Sequence, residues 1–171
     1  MSVDVGRAPH SVTRLDVHTG IAFDAFRDDF EKAAPRFEDA GMDDIAARGG
    51  SWDDVKAAVA AYAPYDLMIF AVIDATPLMT VAGHHTKAVE YLLGNHVIAE
   101  TMFRHNRTTL LYAPLRILVY SDDADQAVFS LDQPSTVFAS LDHPAISQVG
   151  RDLDTKVRNL LAAIGVDTAE F

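Results

Sequence analysis

The chain has 171 residues, 49% of them hydrophobic, a formal charge of −11 at pH 7 and no cysteine. This length and apolar content suit one domain with a sizeable core. The acidic charge argues against a nucleic-acid-binding protein, which needs a basic face for phosphates, and against binding to anionic membrane surfaces. The lack of cysteine excludes disulfides, iron–sulfur clusters and cysteine-ligated zinc.

No segment of the sequence indicates export or insertion into a membrane. Residues 1–9 lack the apolar core of a signal peptide, and the longest apolar run, residues 67–73, is too short to cross a bilayer. We therefore expect a soluble cytoplasmic protein. Residues 1–9 are predicted to be a flexible tail and residues 10–171 a single α+β domain.

The first elements are a strand and an aromatic helix. Apolar and polar residues alternate over 13–18, which is typical of a half-buried strand, and Gly20 is expected to end it. Phenylalanines then recur at helical spacing, at Phe23, Phe26, Phe30 and Phe37. Pro35 disfavours helical geometry at Ala34, so the helix should kink or end there. We favour packing of this stripe against a sheet, with a ligand cavity as the alternative.

The middle of the chain predicts a second helix and a strand. Residues 41–50 are expected to form a loop with possible helical turns, and Ser51 is a plausible N-cap for the helix that follows. The apolar run at 67–73 suits a central strand covered on both faces. A short extension at 78–82 and a polar loop at 83–86 should follow.

The second half predicts three strands and two helices. Residues 88–93 are a predicted strand, broken at Gly94-Asn95, and a helix then continues to about residue 105. A helical turn is expected at 108–112. The next predicted elements are a hairpin of strands 115–120 and 127–131, an irregular segment 132–144, and an amphipathic helix 146–164 capped by Gly165. This order favours an α+β fold with a mainly antiparallel sheet of about five strands and helices on one face.

Three short motifs resemble those of a known family. They are Ile73-Asp74, Leu92-Leu93-Gly94-Asn95 and Pro114-Leu115-Arg116, and their order and spacing resemble the bacterial family labelled domain of unknown function 302. The resemblance covers the chain from about residue 66 to the C-terminal helix. It implies a curved antiparallel sheet similar to half of the TATA-binding protein, often dimeric, and it carries no DNA binding because function belongs to sites.

The chain departs from the family pattern at two positions. The histidine that follows Ile-Asp in the family is Ala75 here, and the proline that follows Gly-Asn is His96. Any ligand chemistry shared by the family is therefore expected to be altered at these two positions.

Histidines cluster in the sequence near this junction: His84, His85, His96 and His105. A metal site needs two or three of them to converge, usually with a carboxylate. His96 and Glu100 share a helix face, whereas His105 lies on the opposite face of one straight helix. His96, Glu100 and a loop histidine are one candidate divalent-metal set. Haem is a second possibility, with His96, His105 or Met102 as axial ligand. Neither alternative has a supporting motif.

Three other polar residues have both structural and functional interpretations. Asp74 could orient an imidazole for acid–base chemistry, but we favour it as the cap of the turn at Thr76. Arg116 could bind a carboxylate or phosphate, but an ion pair with Asp74 or Asp132 is the favoured interpretation. Asn95 is expected to cap the helix after a glycine needed for close approach, at a helix N-terminus that is also an available anion site.

The sequence favours a cytoplasmic, homodimeric small-molecule-binding protein. Its pocket is predicted between the sheet and the helix after Asn95, with ligand-binding candidates Asp74, His84, His85, Asn95, His96 and Arg116. The first alternative is an enzyme that uses histidine acid–base chemistry, with or without a metal or haem. The second is a structural or interaction protein, favoured if the phenylalanine stripe fills the gap between sheet and helices.

Overall fold

The computed structural model describes residues 3–171, apart from the side chains of residues 39 and 40. Residues 3–13 are exposed and form no helix or strand, and the first two residues of the predicted tail lie outside the described part. The strands are β1 Arg14–Ala22, β2 Met68–Asp74, β3 Ala88–Gly94, β4 Leu115–Ser121 and β5 Gln126–Asp132. The α-helices are α1 Phe23–Ala33, α2 Met42–Ala47, α3 Trp52–Tyr62, α4 Thr76–Val81, α5 His96–Phe103, α6 Pro134–Ala139 and α7 Pro144–Ala163. Two 3-10 helices span Phe37–Ala40 and Arg107–Leu111.

The five strands form one open antiparallel sheet in the order β1-β5-β4-β3-β2. Its inner face carries the main hydrophobic core, as β4 illustrates: Ile117 and Val119 are buried, whereas Leu118 between them is 40% exposed. The predicted α+β class with a mainly antiparallel sheet is therefore confirmed. Among residues 3–171, no helix combines the length and apolar character needed to cross a bilayer.

The prediction of a central strand at residues 67–73 was wrong, because β2 is an edge strand. Its apolar residues are explained by a second, smaller core. Met68 is fully buried in a cluster with Met42 and Val59 from α2 and α3, whereas Ile73 at the other end is 53% exposed. The continuous run of apolar residues is explained by α2 and α3, which cover one end of the strand.

Three local predictions also needed correction. Gly20 does not end β1: it adopts a φ of 69° inside an irregular stretch of the β1–β5 pairing, and the strand continues to Ala22. The expected extension at 78–82 belongs to α4, and the irregular segment 132–144 contains α6. Helix α6 packs closely on α7 because Gly150 has no side chain. A Cβ there would lie 3.0 Å from the Cα of Ser135.

The phenylalanine stripe of α1 packs against the sheet, as favoured. Phe26 and Phe30 are fully buried, and the ring centroid of Phe30 lies 5.1 Å from that of Tyr91 and 5.7 Å from that of Phe129. Helix α1 ends at Ala33, as Pro35 predicted, so Phe37 leaves the stripe. The space between α1 and the sheet is therefore filled.

A polar network lies at the edge of this packed layer. The buried Tyr91 hydroxyl donates to Glu31 at 2.8 Å, and Arg27 donates to Glu31 at 3.1 Å and to Asp74 at 2.9 Å. Arg36 donates to the second Glu31 oxygen at 3.2 Å. Partial desolvation opposes ionisation of Glu31, but the bonds from Tyr91 and the arginines outweigh it and lower the pKa of Glu31.

This network predicts a pH-dependent contribution to stability. The depressed pKa of Glu31 stabilises the fold above the ordinary value of 4.5, and the contribution disappears as the pH falls through the folded-state value. We expect Glu31→Gln to lower the free energy of unfolding by about 1–2 kcal/mol at pH 7. In urea titrations from pH 7 to 3, the difference from wild type should shrink below pH 4.5.

The control for this measurement is Asp28→Asn, which removes the same charge from an exposed position on α1. It should change the unfolding free energy by less than about 0.5 kcal/mol at either pH. A Glu31→Gln difference that is constant from pH 7 to 3 would contradict the assigned role of the network.

Candidate functional site

The junction Gly94-Asn95-His96 joins the end of β3 to the start of α5. The Asn95 Oδ1 accepts from the backbone N–H groups of Val97 at 2.8 Å and Ile98 at 3.3 Å, which confirms the predicted N-cap. Its Nδ2 donates to the Asp66 carbonyl at 2.8 Å. A Cβ on Gly94 would lie 3.3 Å from the ring of Phe70 and from Pro114, so the predicted close approach is also present.

The His96 ring lies against two phenylalanines. Its centroid is 4.8 Å from those of Phe37 and Phe70, and both contacts are edge-on. The two phenylalanine rings stack on each other at 4.6 Å. His96 is exposed at the surface, but contact with these rings partly desolvates the imidazole and lowers its pKa below the ordinary 6.5, which favours the neutral form at pH 7. Neither ring nitrogen has a hydrogen-bond partner among the groups that the structure describes, which leave out the side chains of residues 39 and 40.

A pocket of about 130 Å³ lies beside this junction, under α5. Its walls are mainly apolar and come from β3, α5, α6 and α7, with Leu93, Met102, Phe138 and Leu153 among them. Asn95 and His96 carry the hydrogen-bonding side chains in its lining. Asn95 uses both acceptor positions of Oδ1 and one of its two Nδ2 hydrogens, so the His96 ring supplies most of the remaining hydrogen-bonding capacity. The pocket lies between the sheet and α5, and the binding of a ligand there stays a prediction.

A surface groove of about 240 Å³ adjoins the pocket from outside. The groove and the pocket share three lining residues, His96, Ala99 and Leu110. Trp52 and Phe103, each 41% exposed, form the outer part of the groove. His96 and Ala99 therefore stand between an exposed apolar groove and the inner pocket.

The other predicted histidines do not join this site. His84 and His85 are exposed in the loop before β3, whereas His96 follows β3. The seven residues of β3 separate the two ends by about 20 Å. The expected convergence of these histidines around one pocket is therefore absent, because an extended strand separates residues that are near in sequence.

Asp74 lies at the same distant end of the sheet. Its carboxylate accepts from the backbone N–H of Thr76 at 3.0 Å and pairs with Arg27 at 2.9 Å. Desolvation opposes ionisation of Asp74, but these bonds outweigh it and lower its pKa. This geometry matches the favoured interpretation of Asp74 as the cap of a turn.

Arg116 lies on the outer face of the sheet, away from the pocket. It pairs with Glu90 at 3.0 Å, and its side chain is 78% exposed. An ion pair was the favoured interpretation, but the partner is neither Asp74 nor Asp132. Arg116 and Asp132 line a second, wider groove of about 420 Å³, which shares Leu110, Pro114 and Leu115 with the pocket.

The side chains predicted as metal ligands contact other residues and do not meet one another. Glu100 pairs with Arg104, and the ring of His105 stacks on that of His143 at a centroid distance of 4.3 Å. In the described chain, no three histidine or carboxylate side chains are grouped so that they could hold a metal ion. The pocket is below the roughly 300–1,000 Å³ of pockets for drug-sized ligands, so a haem macrocycle does not fit inside it.

No pattern in the sequence indicates the contacts that hold His96. Phe37 follows a proline break, and Phe70 lies within a uniformly apolar strand. The two rings meet at His96 where the β2–β3 pairing shifts register between Ile69 and Ala71. Such an irregularity depends on tertiary packing and has no periodic pattern.

The fold is shared with a solved structure, the crystal structure of an uncharacterized conserved DUF302 protein from Bacillus stearothermophilus. The TM-score is 0.58 with 14% sequence identity, over 88% of this chain and 95% of that one. At this identity the likeness defines the class alone, an α+β fold with an open antiparallel sheet. The sequence profile described as "Domain of unknown function DUF302" matches residues 48–164. The chain belongs to the DUF302 family. No curated protein matches it.

The surroundings of His96 predict its titration. In an NMR titration we expect the His96 imidazole to titrate below 6.5, since the phenylalanine rings remove part of its hydration. Phe37→Ala should raise this pKa towards 6.5 by admitting water. Phe171→Ala, which removes an aromatic ring at the C-terminus, should leave it unchanged. A wild-type value at or above 6.5 would contradict the description of the site.

Proposed function

We propose that this protein binds a small, mainly apolar molecule in the pocket under α5. The observation that carries the proposal is an apolar pocket whose lining includes His96, a polar side chain without a hydrogen-bond partner among the described groups. Binding sites for small molecules are typically apolar concavities with a few polar groups that orient the ligand. The pocket under α5 has this composition, and its volume suits a very small ligand.

The volume limits the size of the ligand. An engineered protein cavity of about 150 Å³ with similar apolar walls stays dry and binds benzene or xenon. The pocket under α5, at about 130 Å³, supports a ligand of about that size. A larger molecule would have to extend past His96 and Ala99 into the outer groove.

The enzyme alternative has less support from the geometry. A histidine that acts as a general base is usually oriented by a second polar group. Among the described side chains, which do not include those of residues 39 and 40, the His96 ring has aromatic neighbours and no hydrogen-bond partner, and Glu100 on the same helix is paired with Arg104. A structural or interaction protein was favoured if side chains fill the gap between the sheet and the helices. That gap is filled under α1, whereas the pocket under α5 is open.

Filling the pocket should abolish binding. In NMR titrations with benzene, we expect saturable shifts of the Met102 methyl resonance in the wild-type protein. Ala99→Leu places extra side-chain volume between groove and pocket and should remove the saturable shift. Ala162→Leu, the same change at an exposed position of α7, should bind like wild type. Absence of a saturable shift in the wild-type protein would contradict the proposed function.

We further propose that the protein is a cytoplasmic homodimer that associates through the β2 edge and α4. Leu78 and Val81 of α4 are 72% and 87% exposed, and Ile73 is exposed beside them. Residues 75–86 contain no Asp, Glu, Lys or Arg, so two chains of charge −11 could meet there without opposing like charges. Beyond Ile69 the outer edge of β2 has no strand partner within residues 3–171, and edge pairing is self-complementary. The lack of cysteine fits a reducing compartment.

Light scattering after size-exclusion chromatography tests this association. We expect the mass of a dimer for wild type and of a monomer for Val81→Glu, because the charge would be buried between copies. Val3→Glu changes a residue of similar exposure in the N-terminal segment and should remain dimeric. A monomeric wild-type protein would contradict the proposed dimer. Recovery of the protein outside the cytoplasm on cell fractionation would contradict the proposed cytoplasmic location.

A further inference from the structure

We infer that the pocket under α5 takes a molecule the size of one six-membered ring that carries a single hydroxyl group, and that this hydroxyl hydrogen-bonds to His96. The inference rests on the proposed function, since it requires the pocket to be the binding site. It adds the chemical class of the ligand.

The side chains that line the pocket favour a flat, apolar ligand. Phe70 and Phe138 contribute aromatic rings to the lining, and Leu93, Met102 and Leu153 contribute aliphatic or thioether groups. Aromatic pairs gain energy beyond simple burial when their rings are offset or edge-on. A single ring fits the volume of about 130 Å³, since a cavity of about 150 Å³ binds benzene.

The polar groups of the lining admit one neutral polar atom on the ligand. Both acceptor positions of the Asn95 Oδ1 are occupied, and one of its two Nδ2 hydrogens is bonded to the Asp66 carbonyl, so Asn95 has at most one N–H to offer beside His96. No lysine or arginine lines the pocket, so a carboxylate or phosphate there would lack a counter-charge. A ligand with several polar groups would bury most of them without a partner.

His96 is suited to a hydroxyl in particular. A neutral imidazole has one N–H donor and one nitrogen acceptor, and a hydroxyl can both donate and accept. The match therefore holds for either tautomer of His96. The flanking rings of Phe37 and Phe70 restrict the orientation of the imidazole, and its lowered pKa keeps the neutral form dominant at pH 7.

Phenol and benzene are the probes that test this class, because they differ by the hydroxyl alone. The dissociation constants of both are measured by NMR titration at pH 7 for wild type, His96→Phe and His84→Phe. His96→Phe keeps an aromatic ring at the mouth but leaves the phenol hydroxyl unpaired. We expect the ratio of phenol affinity to benzene affinity to fall roughly tenfold in His96→Phe.

His84→Phe is the matched control, since it makes the same substitution in the exposed loop at the other end of β3. Its affinity ratio should equal that of wild type, and a tenfold fall there as well would overturn the assignment to His96. If His96→Phe binds benzene and its ratio of phenol affinity to benzene affinity equals that of wild type, the assignment of a hydroxyl-bearing ligand is wrong. The proposed function would still hold in that case. Failure of both probes to bind the wild-type protein overturns the proposed function itself.

Discussion

The position of α5 depends on one side chain, that of Asn95. It is 8% exposed, and it joins three segments: the end of β3, the first turn of α5 and the Asp66 carbonyl just before β2. The cap fixes where α5 begins, and the bond to Asp66 fixes that point relative to the edge of the sheet. Gly94 lets Phe70 and Pro114 approach the backbone there. The pocket is the space left under a helix held in this way.

The same constraint explains the state of His96. As the first residue of α5, it must project beside the cap, where the stacked rings of Phe37 and Phe70 meet it. The aromatic contacts partly desolvate the imidazole and lower its pKa, which favours the neutral form. The first residue of α5 therefore presents a neutral imidazole beside the pocket.

Local chemistry was predictable from the sequence, and long-range arrangement was not. The caps at Ser51 and Asn95 and the end of α1 before Pro35 involve residues a few positions apart. The edge position of β2 depends on a second core built with α2 and α3, which no periodicity within residues 67–73 reveals. The histidines near in sequence were separated by β3, whereas Phe37, Phe70 and His96 were brought together from distant segments.

Crystallography under xenon pressure tests most directly whether the space under α5 is a binding pocket. Xenon fills apolar protein cavities of this size without requiring a hydrogen bond. The account predicts a xenon peak in the pocket, in contact with Met102 and Phe138 and next to His96. A structure in which side chains close this space, or in which xenon occupies other sites and leaves the pocket empty, would contradict it.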